Sequence, residues 1–181
     1  MPFFSPLGYG FRFDAFANIL VSLLEVAEED QRPPVDAYLE SITPEDLALV
    51  PAFHPVITPQ DRDWQELQMT FSYSFKNQPY EYHNGGLWPM LTGFRVAELA
   101  WRGDRDGAQR GLEAIHRANA LPMDGEDWSF PEFVHGRELA AGGTRHQGWS
   151  AAAAVIGHHA LEGMPVLRET RDGRAKARAN L

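Results

Sequence analysis

The sequence predicts an all-α protein, and three observations carry that prediction. Apolar residues recur at spacings of three and four from Phe13 to Ala27, and two later helical segments are joined by nothing more than Arg102-Gly103. No stretch shows the apolar/polar alternation of a half-buried strand.

Taken in order, Phe13, Phe16, Leu20, Leu23, Leu24 and Ala27 define one face of a first helix, on which Asp14 and Glu25 are expected to be solvated. Glu28, Glu29 and Asp30 crowd its C-terminal end, where the helix dipole disfavours carboxylates, and Pro33-Pro34 is expected to stop it. A short helix is predicted over Val35–Ile42. Thr43-Pro44-Glu45-Asp46 and Thr58-Pro59-Gln60-Asp61 each combine a capping hydroxyl, a proline and first-turn acids, so each predicts a helix start. Between them, Pro51 and Pro55 push their predecessors toward extended backbone.

Phe75 to Gly86 is rich in Asn, Gly, Pro and Tyr and predicts an ordered loop. It leads into a helix over Leu87–Arg102, followed directly by another over Asp104–Leu121 as an antiparallel hairpin. Pro122 to Arg145 forms a second loop. Trp149–Leu161 is apolar around nearly its whole circumference, which predicts a helix buried on all sides with His158 and His159 as core histidines. Val166–Leu181 has no apolar face and is expected to be a frayed or disordered tail, leaving residues 1–165 as one folded unit. Long structured loops between helices are uncommon, and are more often functional than idle.

Composition narrows the function. Against 16 Lys and Arg stand 25 Asp and Glu, a formal charge of −9 that repels a phosphate backbone, so nucleic acid is not expected as a partner. The absence of cysteine removes disulfides and thiolate metal sites and fits a reducing compartment, so a cytoplasmic location is expected. The first residues do not read as a secretory signal and no stretch is long enough for a bilayer, so no membrane partner is expected either. There is no phosphate-binding glycine loop, no nucleophile elbow and no His-Glu-x-x-His, and neither a metal nor another cofactor is expected.

Three segments can carry chemistry. Tyr80-Glu81-Tyr82-His83-Asn84-Gly85-Gly86-Leu87-Trp88-Pro89 joins aromatic rings, an imidazole and an amide to a Gly-Gly turn, a combination that can offer ring faces and polar groups to a sugar. The alternative is a rigid aromatic turn ahead of a helix. Glu132, within Trp128-Ser129-Phe130-Pro131-Glu132-Phe133-Val134-His135-Gly136, follows a proline in an apolar run, so its carboxylate is either directed into a cavity or an ordinary surface group. Gly142 to Ser150 leads into the last helix, where Gln147, Trp149 and free main-chain N–H groups can fix hydroxyls or simply cap the helix.

In this order the three segments resemble the C-terminal half of the alkaline/neutral invertases. The likeness rests on Lys76-Asn77, on Tyr82-His83-Asn84-Gly85-Gly86-Leu87-Trp88-Pro89, on Phe130-Pro131-Glu132-Phe133 and on Gln147-Gly148-Trp149, and it extends to Arg12-Phe13-Asp14-Ala15-Phe16-Ala17-Asn18. It implies about six helices of an (α/α)6 toroid of the six-hairpin glycosidase kind. It also implies inverting hydrolysis of sucrose or a related α-glucoside, with Glu132 as general base and with Tyr82, His83, Asn84, Trp88, Gln147 and Trp149 lining the sugar pocket. His135 or Arg145 is expected to keep the base ionised. The family's general acid is an Asp upstream of the part represented here, and no segment of this chain matches it. The resemblance therefore implies an incomplete catalytic domain, with a second chain or self-association completing the ring. The alternatives are a non-catalytic half-toroid that binds sugar or assembles, and an epimerase built on converging His83, His135 and His146.

Overall fold

The structure is a computed structural model that describes residues 2–5, 8–69 and 74–164, with side chains from residue 12 onward. The expected tail, Val166–Leu181, lies outside the described residues. Among the described residues there are six α-helices and three pairs of very short strands, and the mostly helical chain has the character of part of an all-α toroid.

Helix α1, Ala15–Leu23, begins where the Asp14 carboxylate accepts the N–H of Ala17 at 2.9 Å. It ends earlier than predicted, because Leu24 closes it and Glu25 takes a left-handed φ of 57°. Asp14 is thus a half-buried cap rather than a solvated helix residue. Pro33 and Pro34 do not stop a helix but sit in the first turn of α2, Arg32–Ile42, where a missing N–H costs nothing. Thr43 starts no helix. Its N–H and hydroxyl both return to the carbonyl of Leu39, at 3.1 and 2.7 Å, and so close α2. Thr58 and Asp61 bond to each other as capping residues do, yet α3, Trp64–Met69, begins only after a further turn.

The hairpin is as expected: α4, Pro89–Arg102, and α5, Arg105–Asn119, turn on Gly103 at φ 90°, and Asp104 caps α5 through the N–H of Gly107. Helix α6, Gly148–Leu161, packs against both. Only one stripe of it is buried, Ser150, Ala153, Gly157 and Ala160, whereas Trp149, Val155, His158 and His159 are exposed. The reading of α6 as buried on all sides fails because most of its apolar character is alanine. Small residues permit close approach on one face without requiring cover on the other. His158 is accordingly a surface residue, its Nε2 3.1 Å from Nε2 of His116.

The strands are the second departure. Strands β1, Pro2–Ser5, and β2, Gly8–Phe11, pair antiparallel; so do β3, Phe13–Asp14, with β4, Phe53–His54, and β5, Phe133–Val134, with β6, Ala141–Gly142. Most are too short to display a period of two. Single bridges join Pro51 to Leu87 and Leu87 to Val134. Segments from both ends of the chain therefore form one ribbon across the helices, running from β3 through β4, Leu87 and β5 to β6.

Below the ribbon, Leu87 and Val134 pack with Val96, Leu112, Ile115 and Ala153 from α4, α5 and α6. Trp88 and Phe133 pack with Ile19, Leu39 and Leu91. An ion network fastens α2 to α4. Glu98, 1% exposed, takes hydrogen bonds from Ser22 (2.6 Å), Arg102 (2.7 Å) and Arg95, and both arginines also reach Asp36. Burial pushes the Asp36 carboxyl up, but Arg102 and Arg95 together outweigh it and hold it below the usual carboxylate range. Among the described residues no helix is long and apolar enough to cross a membrane.

Candidate functional site

Glu132 stands one residue before β5, where Pro131 and the pairing of Phe133 with Gly142 set the backbone. Its own N–H donates to the carbonyl of Thr144 at 2.9 Å, and its Oε2 accepts the N–H of Thr144 at 3.1 Å, so one residue holds both main chain and carboxylate. The other oxygen, Oε1, has no hydrogen-bond partner among the described residues. Although only 5% exposed, Glu132 lines an open hollow of about 520 Å³ together with Lys76, Glu81, Tyr82, Phe133, His135 and Glu138.

The expected holder Arg145 is committed elsewhere, 3.3 Å from Glu126. His135 lines the hollow, but its Nδ1 accepts the N–H groups of Arg137 and Glu138 at 3.2 and 3.1 Å. That fixes the Nε2–H tautomer when the ring is neutral. His146 lies on the surface beside Glu126, so the three histidines of the epimerase alternative do not converge.

The first loop supplies the adjoining wall. Tyr80 and Tyr82 take left-handed φ values of 71° and 46°, uncommon for bulky residues and a form of strain that tends to gather at functional sites. The Tyr82 and His83 rings stack at 4.2 Å and 15°. Tyr82 also meets Trp88 at 5.4 Å and Phe133 at 6.1 Å, and Lys76 lies 5.6 Å from the Tyr82 ring centre. His83 is exposed at its edge, yet enough protein crowds the ring for desolvation to push its pKa down, against the upward pull of the Glu132 and Asp14 carboxylates.

Other expected pocket residues stand further back. Asn84 is fully buried: Oδ1 accepts the Ile57 N–H at 2.7 Å, and Nδ2 donates to Ile57 O at 2.7 Å and Asn77 O at 3.1 Å. Its visible work is to pin the loop. Trp88 is 3% exposed, with Nε1 donating to the Tyr82 carbonyl. Trp149, 40% exposed, meets Trp88 at 5.9 Å. Gln147 caps α6 through its main chain and donates its N–H to Phe130 O. Neither Gln147 nor Trp149 lines the Glu132 hollow.

The described residues hold no cluster of three or more His, Asp or Glu arranged for a metal ion. Sequence reasoning missed Thr144, whose contribution is a backbone N–H that no side-chain pattern reveals. It also passed over Lys76, Glu81 and Glu138 as wall residues, the first two of them present in motifs it had already singled out.

A buried carboxylate with one oxygen held and one open can accept or donate a proton, and stacked aromatic rings beside it can pack against an apolar ligand face. The family model for "Alkaline and neutral invertase" matches residues 4–163. The chain belongs to the alkaline and neutral invertase family. Among its relatives, Cytosolic invertase 1 of Oryza sativa subsp. japonica is 26% identical over 87% of this chain and 27% of its own length. Probable alkaline/neutral invertase D of Arabidopsis thaliana is 26% identical over 87% of this chain and 28% of its own. Neutral/alkaline invertase 1, mitochondrial, of Oryza sativa subsp. japonica is 25% identical over 81% and 22%. The chain thus spans about a quarter of the length of these invertases.

Proposed function

We propose that this chain is the part of an inverting glycoside hydrolase that bears the general base, acting on sucrose or a related α-glucoside, and that Glu132 is that base. The general acid would come from residues outside this chain. In the reaction Glu132 accepts a proton from water, the water oxygen attacks the anomeric carbon, and the glycosidic C–O bond breaks as the acid protonates the leaving oxygen. Water and the disaccharide give two monosaccharides, with the anomeric configuration inverted. The observation that carries this reading is the Glu132 carboxylate, with Oε2 held by Thr144 and Oε1 unpartnered in a hollow of about 520 Å³.

The test is release of reducing sugar from sucrose by the protein carrying its complementary region, with and without Glu132→Gln. The variant should lose activity by at least about a hundredfold, the general scale of acid–base catalysis. Turnover equal to wild type would reject the assignment.

A second reading, a non-catalytic half-toroid that binds sugar or assembles with another chain, is favoured by the outer face of α6. Val155 is 54% exposed there, and Trp149, at the edge of that face beside Trp88, is 40% exposed, in a chain that spans about a quarter of the length of its relatives. Calorimetric sugar binding with no release of reducing sugar in the complete assembly would select it.

A further inference from the structure

Helices α5 and α6 each bring one histidine to a shared surface position away from the Glu132 hollow. Nε2 of His116, on α5, lies 3.1 Å from Nε2 of His158, on α6, with the ring centroids 5.2 Å apart. No pattern within α6 supplies His158 with a partner; the packing of α5 against it does. His158 is exposed and His116 half-buried, so solvent reaches the pair, and neither lines the hollow of Glu132. The Nδ1 atom of each ring has no hydrogen-bond partner among the described residues. The separation is fixed from below. Gly157, beside His158, sits so close to Leu112, one turn before His116, that an added Cβ would lie 2.9 Å from the Leu112 side chain.

Two imidazole nitrogens at this separation match an edge of a metal coordination polyhedron. With metal–nitrogen bonds of about 2.0–2.1 Å, neighbouring donors lie about 2.9 Å apart in octahedral geometry and about 3.3 Å apart in tetrahedral geometry. Imidazole suits Zn²⁺, Ni²⁺ and Cu²⁺, whereas Mg²⁺ and Ca²⁺ take oxygen ligands. Glu113 and Glu162, each one turn away along the chain, add negative charge nearby, and the neighbouring Arg105 and Arg117 are drawn to the carbonyls of Leu161 and Leu47. We propose that His116 and His158 form a site for a divalent transition-metal ion of the Zn²⁺ class, which clamps α5 to α6. No third His, Asp or Glu joins the pair among the described residues, so water fills the remaining positions. On binding, the ring that carries its proton at Nε2 carries it at Nδ1 instead, by exchange through solvent. Both Nε2 lone pairs then face the ion, which gives up two waters, and no net proton is released.

The test is calorimetric titration of the purified, chelator-treated chain with ZnCl₂ at mildly alkaline pH, with MgCl₂ as the oxygen-preferring control. The tightest site should take one Zn²⁺ per chain, and Mg²⁺ should not bind there. His116→Ala and His158→Ala should each weaken Zn²⁺ binding by at least about tenfold, the lower end of what a lost metal-site interaction costs. His159→Ala, one residue further along α6 on another face, should leave it unchanged. Zn²⁺ should raise the melting temperature of the wild type but not that of His158→Ala, as binding to the native state alone requires. His158 is exposed, so its variant should fold. If His116→Ala does not fold, Cu²⁺-induced broadening of the His116 and His158 ring-proton signals in the wild-type chain reads the same contact, and broadening of neither overturns it. Absence of Zn²⁺ binding, or Zn²⁺ binding that survives both substitutions or is lost with His159→Ala, also overturns the proposal.

Discussion

Thr144 donates its backbone N–H to Oε2 of Glu132 at 3.1 Å while its carbonyl receives the N–H of Glu132 at 2.9 Å. This reciprocal grip orients the carboxylate through main chain alone, and it exists because Gly143 lets the loop pass directly over the side chain. At φ 76°, a Cβ on Gly143 would lie 2.5 Å from Glu132 Oε2 and 2.6 Å from its Cβ.

Gly143→Ala should therefore displace the Glu132 carboxylate. We expect a stability loss of about 1–3 kcal/mol, the usual cost of overpacking with an unfavourable φ. Sucrose binding by calorimetry should weaken in parallel. A variant with wild-type melting temperature and affinity would show that the loop moves aside without consequence.

Asn84→Ala should act on folding first. It removes three buried hydrogen bonds that tie Ile57 and Asn77 together, and at about 1 kcal/mol or more for each backbone group left unpaired the loss should reach about 2–4 kcal/mol. Urea unfolding measures it. Wild-type stability with weakened sugar binding would instead mark Asn84 as a direct ligand.

The network between α2 and α4 predicts an acid sensitivity with a definite sign. Asp36 has a lowered pKa in the folded protein, so its contribution is present above its unfolded value of about 3.9 and is lost as pH falls through the folded value. Asp36→Asn should cost about 2 kcal/mol at pH 7, and the difference from wild type should shrink as pH falls below the unfolded value and through the lowered folded one. Glu98→Gln should cost about 3 kcal/mol, because Arg95 and Arg102 would lose the carboxylate buried between them. Equal denaturant midpoints for wild type and Asp36→Asn at neutral pH would contradict this account.

His83 should titrate below the usual histidine value of about 6.5, because desolvation outweighs the two carboxylates. Glu132→Gln and Asp14→Asn should each lower the midpoint further, since each removes a charge that favours the imidazolium. NMR titration of the ring protons reads both effects. An upward move in either variant would mean that the carboxylates do not flank the ring.

The elements legible in the sequence were those specified within a few residues. The α4–α5 hairpin, with Gly103 as its turn and Asp104 as its cap, follows from spacing and capping chemistry that neighbouring residues already contain. So does the Tyr82-His83-Asn84-Gly85-Gly86 loop, whose residue types announce an ordered turn. Readings that depended on what a face would meet were less secure. The outward side of α6 and the double proline of α2 were misjudged because a run of alanines or two prolines fits either outcome until a neighbour is known.

By itself the sequence determined a mostly helical chain, the order of its loops and the invertase motifs, because helix periodicity, caps and glycine turns act over a few residues. Only the tertiary structure decided that β3 and β5, about 120 residues apart, share one ribbon, so that Asp14 and Glu132 flank a common Tyr82–His83 wall. Pairings of two residues carry too little pattern to read in advance. They form because the helices beneath bring backbone groups close enough to satisfy one another away from water.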